Sequence, residues 1–122
     1  MPMITLVCTE SIDDESRHEA LGIIAARLQK DFAQEMGTFI LRQETINQGD
    51  FIIIKGGQIR KAPWSPVVKV VLSERHNLDL TARLLKTLAQ AAAEALKTDT
   101  AEVTVYAERL GSGCFFVKDT LI

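Results

Sequence analysis

Hydrophobic residues follow two periods along this chain of 122 residues, and the two periods alternate. Short apolar, β-branched runs at residues 3–8 and 67–72 are typical of strands that have a covered face. Each run is followed by apolar residues spaced three and four apart, which predict an amphipathic helix. The helical stripes are formed by Leu21, Ile24, Leu28 and Phe32 in the first half and by Leu84, Leu85, Leu88, Ala92 and Leu96 in the second. The segments TFILRQE and EVTVYAE then predict a closing strand in each half.

The two halves also match residue by residue at an offset of 64 positions, where PMITLVCTES lies over PVVKVVLSER. Asp13 and Asn77 are equivalent in this alignment, and each can cap a helix because its side-chain oxygen accepts a hydrogen bond from a free backbone N–H. Ser16 and Glu19 offer a second possible cap slightly later. A crossover of this length favours parallel pairing with a right-handed connection. The sequence therefore predicts two pseudo-repeated β-α-β units in one four-stranded mixed sheet that two helices cover.

Strand parity divides the predicted sheet into two faces of different chemistry. One set of residues can share the face that the helices cover: Ile4, Leu6, Cys8, Leu41, Val68, Val70, Leu72, Val103 and Val105. The opposite set is too apolar for water and too polar for a dry core: Met3, Thr5, Val7, Ile40, Arg42, Val67, Lys69, Val71, Thr104 and Tyr106. Such a face suggests packing against other subunits, so we expect an oligomer.

The length fits a single α+β domain over residues 1–122, with one unit at about 2–47 and the other at about 66–110. Between the units, FIII predicts a short extra strand or hairpin arm. KGGQ reads as an ordinary turn, because it lacks the Gly-Lys-Ser/Thr ending of a phosphate-binding loop. The closing GSGCFFVKDTLI predicts a C-terminal strand at about 113–119 that is suited to pairing with a neighbour.

Composition and charge argue against several classes of protein. The net charge is −2 with both signs spread along the chain, so the basic footprint of a nucleic-acid-binding protein is missing. No run approaches the ~20 apolar residues of a membrane helix, and the start does not resemble a signal peptide. We therefore expect a cytoplasmic protein with no nucleic-acid or membrane partner. Cys8 and Cys114 have no metal-binding or redox spacing, so both are expected to be reduced core thiols.

Two β-α-β units, each headed by a proline and the first placed directly after Met1, resemble the tautomerase superfamily over nearly the whole chain. The likeness is strongest to the malonate semialdehyde decarboxylase and macrophage migration inhibitory factor groups, in GDFIIIKGGQIRKAPWSPVVKVVLSERHN and in CFFVKDTLI. The resemblance implies a homotrimer and a catalytic proline exposed by loss of Met1. Pro2 is the matching residue, whereas Pro66 is internal. With Met1 attached, Pro2 is an amide without basicity, but as a free amine it starts from a pKa of about 7.7 to 8.0, which burial lowers.

The resemblance also implies a cationic site for a small 2-oxo or unsaturated acid. The decarboxylase pattern has two arginines separated by one residue in the SERHN turn, and Glu74 and His76 occupy those positions here. Arg75, between them, is the leading carboxylate ligand, because a guanidinium binds a carboxylate with two hydrogen bonds; the alternative is a solvated surface arginine. His76 is a further possible donor, and the alternative is a surface histidine at a helix entrance.

Other site residues come from the same resemblance. Phe39 matches an active-site aromatic of the inhibitory-factor group, although a core phenylalanine explains it equally well. Tyr106 matches a position that reaches a neighbouring subunit's pocket, where its phenol can donate a hydrogen bond to a substrate oxygen. Ser73 and Lys69 are weaker candidates. The decarboxylase and dehalogenase branches also use an acid near the start of the second strand, but MGTFIL has none and Glu35 lies slightly too early.

The sequence thus favours an isomerase of the tautomerase type, in which Pro2 moves a proton between carbon and oxygen of the substrate. Such chemistry requires no metal or organic cofactor, because the amine transfers the proton. The alternative is a non-catalytic trimeric module that binds a ligand or partner with the same fold, and the missing acid and the shifted arginine favour it. A ferredoxin-like βαββαβ domain would have the same element order with different strand pairing.

Overall fold

A computed structural model describes residues 2–60, 65–117 and 119–121 of the chain. The first half contains strand β1 (Met3–Thr9), helix α1 (Asp14–Met36) and strand β2 (Ile40–Ile46). A hairpin of β3 (Ile53–Lys55) and β4 (Gln58–Arg60) follows. The second half contains β5 (Val67–Ser73), α2 (Leu78–Ala95) and β6 (Thr104–Leu110), and the described chain closes with β7 (Phe116–Val117) and β8 (Thr120–Leu121). Short 3₁₀ turns occur at Gln48–Asp50 and Thr100–Glu102.

The four long strands form one mixed sheet in the order β2-β1-β5-β6. Within each unit the two strands are parallel neighbours, and the units meet through the antiparallel pair of β1 and β5. A ferredoxin-like domain would instead split each parallel pair with another strand. The predicted α+β fold with two β-α-β units in a mixed sheet is therefore confirmed, and the ferredoxin-like alternative is wrong.

The repeat is visible in the backbone at the same offset of 64 residues. Met3 lies opposite Ile40 at the start of one parallel pair, and Val67 lies opposite Thr104 at the start of the other. Just before each pair a proline carbonyl accepts a backbone hydrogen bond of 3.0 Å. The Pro2 carbonyl accepts it from the N–H of Ile40, and the Pro66 carbonyl accepts it from the N–H of Thr104. Each residue of one unit can therefore be compared with the residue 64 positions away in the other unit.

Side-chain caps fix the start of both helices. Asp13 accepts a hydrogen bond of 2.7 Å from the backbone N–H of Ser16, and Asn77 accepts one of 2.8 Å from Leu80. These bonds satisfy N–H groups that have no partner within the helix. The alternative cap at Ser16 and Glu19 is wrong, since both residues lie inside α1.

Both helices pack on one face of the sheet and bury the apolar stripes that the sequence predicts. The inward residues of the two central strands, Ile4, Leu6, Cys8, Val68, Val70 and Leu72, have no exposed surface. Leu41, Val103 and Val105 are only partly buried against this core, because β2 and β6 are the edge strands. The core therefore lies between the two helices and the central antiparallel pair, and neither helix packs on the opposite face of the sheet.

The segments outside the repeats differ in part from the predictions. KGGQ is a hairpin turn in which Gly56 and Gly57 have φ of 59° and 77°, the combination that tight two-residue hairpins require. The C-terminal segment forms the small hairpin of β7 and β8 rather than one strand, and Lys118 within it lies outside the described residues. Its two strands therefore pair with each other within the chain.

The structure also shows the environment of the two cysteines and bears on the expectations about metal binding and membrane helices. Cys8 is buried, and burial raises the pKa of its thiol. Cys114 is exposed, so the prediction that both cysteines are core thiols is wrong for this one, which lies in a surface turn. Among the described residues there is no group of three or more metal-binding side chains, and no helix that is long and apolar enough to cross a membrane.

The cap of α2 gives a direct test of the repeat. We expect Asn77→Ala to lower the free energy of unfolding by about 1 kcal/mol, because it removes the side-chain acceptor for the Leu80 N–H. Asn47→Ala is the matched control, since Asn47 precedes a 3₁₀ turn without making a side-chain cap. Urea unfolding followed by circular dichroism measures both. Equal losses for the two variants would contradict the assigned cap.

Candidate active site at one end of the sheet

The topology brings the start of the first unit to the end of the second unit's first strand. In the antiparallel pair of β1 and β5, Met3 lies opposite Val71, so the next position outward puts Pro2 opposite Leu72. In the parallel pair of β1 and β2, the same extension puts Pro2 beside Phe39. Pro2 therefore lies at the same end of the sheet as the turn that follows β5.

Pro2 is fully buried, and its carbonyl accepts a hydrogen bond of 3.0 Å from the backbone N–H of Ile40. By alternation it belongs to the same face of β1 as Ile4, which packs in the core. Leu72, its cross-strand neighbour, is also fully buried on that face. The proline ring consequently lies in apolar surroundings rather than in solvent.

The turn after β5, residues 74–76, is held by backbone hydrogen bonds to fixed elements. Glu74 donates its N–H to the Leu110 carbonyl at the end of β6, at 2.9 Å. Arg75 donates its N–H to the Ser73 hydroxyl at 3.2 Å, and His76 donates its own to the Ser73 carbonyl, also at 3.2 Å. Ser73 is buried, so its hydroxyl serves this turn.

The two candidate side chains of the turn differ in their environment. Arg75 is exposed, and its guanidinium makes no hydrogen bond or ion pair within the part of the chain that the structure describes. His76 is half-buried, and its Nε2 is buried without a hydrogen-bond partner among the described residues. Burial lowers the pKa of His76, and the neighbouring Arg75 charge lowers it further. The turn thus presents a free cation next to a neutral imidazole.

The opposite end of the sheet shows what the fold alone requires. There the counterpart of the turn is Glu10-Ser11-Ile12, which makes the same closing bond from Ile12 N–H to the Thr9 carbonyl, at 3.2 Å. The counterpart of Arg75 is Ser11, and the counterpart of His76 is Ile12. Within these two described turns, residues 10–12 therefore include no cation and no imidazole, whereas residues 74–76, at the end that carries Pro2, include both.

Tyr106 does not lie at this end. It is opposite Lys69 in the middle of the sheet face that points away from the helices, in one cross-strand row with Thr5 and Arg42, and it is 49% exposed. Glu44 accepts a hydrogen bond of 2.7 Å from Arg42 and lies 3.7 Å from the Lys69 ammonium. Within one chain, the structure keeps Tyr106 apart from Pro2.

Phe39 and Glu35 also have definite places. Phe39 is partly buried against the core and lines a cavity of about 230 Å³ between α1 and β2, with Leu28, Ala33 and Leu41. Glu35 binds Arg83 of α2 through two hydrogen bonds of 2.9 and 3.2 Å. This ion pair lowers the pKa of Glu35, so the carboxylate joins the helices rather than serving as an acid near Pro2.

Sequence reasoning missed Arg109, which lies near the end of β6. Its Nη2 donates to the Glu74 carbonyl at 3.1 Å and to the His76 carbonyl at 2.8 Å. Its counterpart in the first unit is Thr45, so the repeat gave no reason to expect an arginine here. The sequence did contain one signal for it: Arg109 is a charged residue directly before the Leu-Gly pair at which β6 ends.

The geometry can be compared with known proteins. No family model matches the sequence, and the curated proteins contain no significant match. Several solved structures are similar in fold. A fused 4-OT described as a wild-type symmetric trimer shares 17% identity at a TM-score of 0.78, over 98% of this chain and 94% of that one. A structure of Pt0534 inactivated by 2-oxo-3-pentynoate shares 15% identity at 0.76, over 95% and 92%.

A third structure is FG41 malonate semialdehyde decarboxylase inhibited by 3-bromopropiolate, with 12% identity and a TM-score of 0.69 over 93% of this chain and 86% of that one. These proteins are tautomerase-superfamily members. The resemblance that the sequence implied is therefore confirmed at the level of the fold. The chain has the β-α-β repeat architecture of that superfamily over nearly its whole length.

The environment of His76 leads to a prediction about pH. Because its pKa in the folded protein is lowered from the ordinary value, its neutral form contributes stability that is present above about pH 6.5 and lost as pH falls through the folded pKa. The Cε1 proton of His76, followed by NMR, should therefore titrate with a midpoint below 6.5. His76→Gln identifies the resonance, since the chain has only one other histidine. A midpoint at or above 6.5 would show that the imidazole is not buried as described.

Proposed function

We propose that this protein is a tautomerase-type enzyme that moves a proton between carbon and oxygen of a small 2-oxo or unsaturated acid, with Pro2 as the base once Met1 is removed. One observation carries the proposal. Among the described residues, the buried Pro2 shares its end of the sheet with the Arg75 guanidinium and the His76 imidazole, whereas the equivalent turn at the Pro66 end, residues 10–12, carries neither kind of side chain. We take the Arg75 charge, which the fold does not require, as a ligand-binding group.

The chemistry follows from the surroundings of the amine. A free Pro2 nitrogen in apolar surroundings has a lowered pKa, because burial disfavours the charged form, so its lone pair is available near neutral pH. It takes the proton from the carbon next to the carbonyl. The C–H electron pair forms the C=C bond, and the carbonyl π electrons move to oxygen, which then takes the proton back from the Pro2 ammonium. In this proposal Arg75 binds the carboxylate with its fork of N–H groups, and His76 donates a hydrogen bond to the developing enolate.

No carboxylic acid among the described residues between α1 and β2 is available to assist Pro2, and this limits the kinds of reaction that the site can support. Glu35 is held by Arg83, and the segment between α1 and β2 contains Gly37, Thr38 and Phe39 without a carboxylate. This supports simple proton transfer over decarboxylation or water activation, both of which the related branches carry out with an additional acid. Phe39, beside Pro2 in register, would form an apolar wall of the pocket.

We also propose that three copies cover one another's open faces. Met3, Ile40 and Tyr106 are 37%, 40% and 49% exposed on that face, and one structure of the same fold is described as a symmetric trimer. In a trimer Tyr106 would reach the site of a neighbouring copy. The single domain with units at about 2–47 and 66–110, and the cytoplasmic location, stay predictions.

The base can be tested with the two equivalent prolines. Protein that mass spectrometry shows to have lost Met1 should ketonise phenylpyruvate or hydroxymuconate, and 2-oxo-3-pentynoate should label it at Pro2. Pro2→Ala should lower kcat/KM by at least about 100-fold, the range of general-base catalysis. Pro66→Ala, the matched control, should stay within about threefold, a change of less than 1 kcal/mol in the barrier. Equal rates for wild type and Pro2→Ala would rule out Pro2 as the base, and rates no higher than background in both would favour the non-catalytic module that binds a ligand or partner.

The assembly can be tested on the open face. We expect sedimentation equilibrium to give three times the chain mass of 13.5 kDa. Ile40→Glu should shift the protein toward the monomer, because a carboxylate buried between copies loses its hydration. Leu78→Glu is the control, since Leu78 is also exposed but lies at the start of α2, away from the sheet. A monomer in the wild type, or the same mass for wild type and Ile40→Glu, would contradict the proposed interface.

A further inference from the structure

Arg109 makes a contact that has no role in the core of the fold or in the proposed reaction. A single nitrogen, Nη2, donates to two backbone carbonyls, at 3.1 Å to Glu74 and at 2.8 Å to His76. These carbonyls belong to the residues immediately before and after Arg75. Arg109 therefore spans the one residue of the turn whose side chain is a free cation.

The remaining polar backbone groups of the turn leave little freedom. The N–H groups of Glu74, Arg75 and His76 all donate to fixed acceptors, one on Leu110 and two on Ser73. With Arg109 on two of the carbonyls, the backbone that carries Arg75 is restrained from both sides. A long, exposed side chain on a restrained backbone loses less conformational entropy when it binds a carboxylate than one on a loose loop.

The first unit shows which part of this contact is general. There Arg17, in the first turn of α1, donates to the Ile12 carbonyl, the counterpart of the His76 carbonyl. Holding this carbonyl is thus a need of the turn itself. The second unit has Thr81 where the first has Arg17, and Arg109 where the first has Thr45. The donor is therefore a helix residue, Arg17, in the first unit and a strand residue, Arg109, in the second. Of these two contacts, the one made by Arg109 also reaches the Glu74 carbonyl.

We propose that Arg109 is a positioning residue that presents Arg75 to the carboxylate of the substrate by bridging the Glu74 and His76 carbonyls. This inference rests on the proposed function, because it takes Arg75 as the carboxylate ligand. Arg109 does not touch the substrate in this account. A guanidinium suits this bridge because its planar group holds the two N–H bonds of Nη2 in fixed directions, whereas the N–H bonds of a lysine ammonium turn freely on a flexible stem.

The test measures whether Arg109 acts through Arg75. We expect Arg109→Met to raise KM for phenylpyruvate about tenfold and to leave kcat within about threefold, as expected for loss of a uniform binding interaction. Arg109→Lys should not restore KM, because it keeps the charge and loses the bridge. Arg17→Met is the matched control and should change neither constant by more than about threefold, a difference below 1 kcal/mol. Arg109→Gln serves where the methionine variant does not fold.

A double-mutant cycle decides the mechanism. In an Arg75→Met background, Arg109→Met should have no further effect on KM. The same cycle on the Kd of phenylpyruvate, measured by calorimetry in Pro2→Ala, makes the result independent of turnover. Full recovery with Arg109→Lys, or equal effects of Arg109→Met with and without Arg75, would overturn the inference while the proposed function stands. If the Kd values follow the predicted cycle but the wild-type protein shows no turnover, the inference about Arg109 is retained and the proposed function is contradicted. No binding to the wild type would overturn both.

Discussion

The antiparallel pairing of β1 with β5 is the constraint on which the rest of the structure depends. Each β-α-β unit alone has one covered face and one helix, and the two units complete a core by pairing their first strands. Because this pair is antiparallel, the start of one unit meets the end of the other unit's first strand. The pairing places Pro2 opposite Leu72, at the end of the sheet where the turn that contains Arg75 follows β5.

The same pairing makes the two ends of the sheet comparable and then lets them differ. Both ends have a proline carbonyl that receives the first bond of a parallel pair, and both have a turn closed by the same backbone bond. Where the fold sets the requirements, the residues at the two ends correspond, as with the caps Asp13 and Asn77. Where they diverge, as with Ser11 and Arg75, the fold does not explain the choice, and the proposed function assigns Arg75 to binding the substrate carboxylate.

Much of the fold could be predicted because its signals are local or repeated. Helix stripes, strand parity and the caps depend on residues close in sequence, and the offset of 64 residues tied the two halves together. The site was harder, because it depends on contacts that sequence distance hides. Arg109 is 35 positions from Glu74, and the repeat suggested no arginine at its place. The exposed position of Cys114 and the hairpin of β7 and β8 were missed because short segments outside the repeat carry weak signals.

The central claim is that the nitrogen of Pro2 is a free amine in apolar surroundings at this end of the sheet. The most direct measurement is a pH titration of the Pro2 nitrogen by ¹⁵N NMR in protein purified from its own cell. The account predicts one ionisation with a midpoint below the ordinary range of about 7.7 to 8.0 for an α-amino group. A nitrogen that shows no titration because Met1 is still attached, or a midpoint above that range, would contradict it.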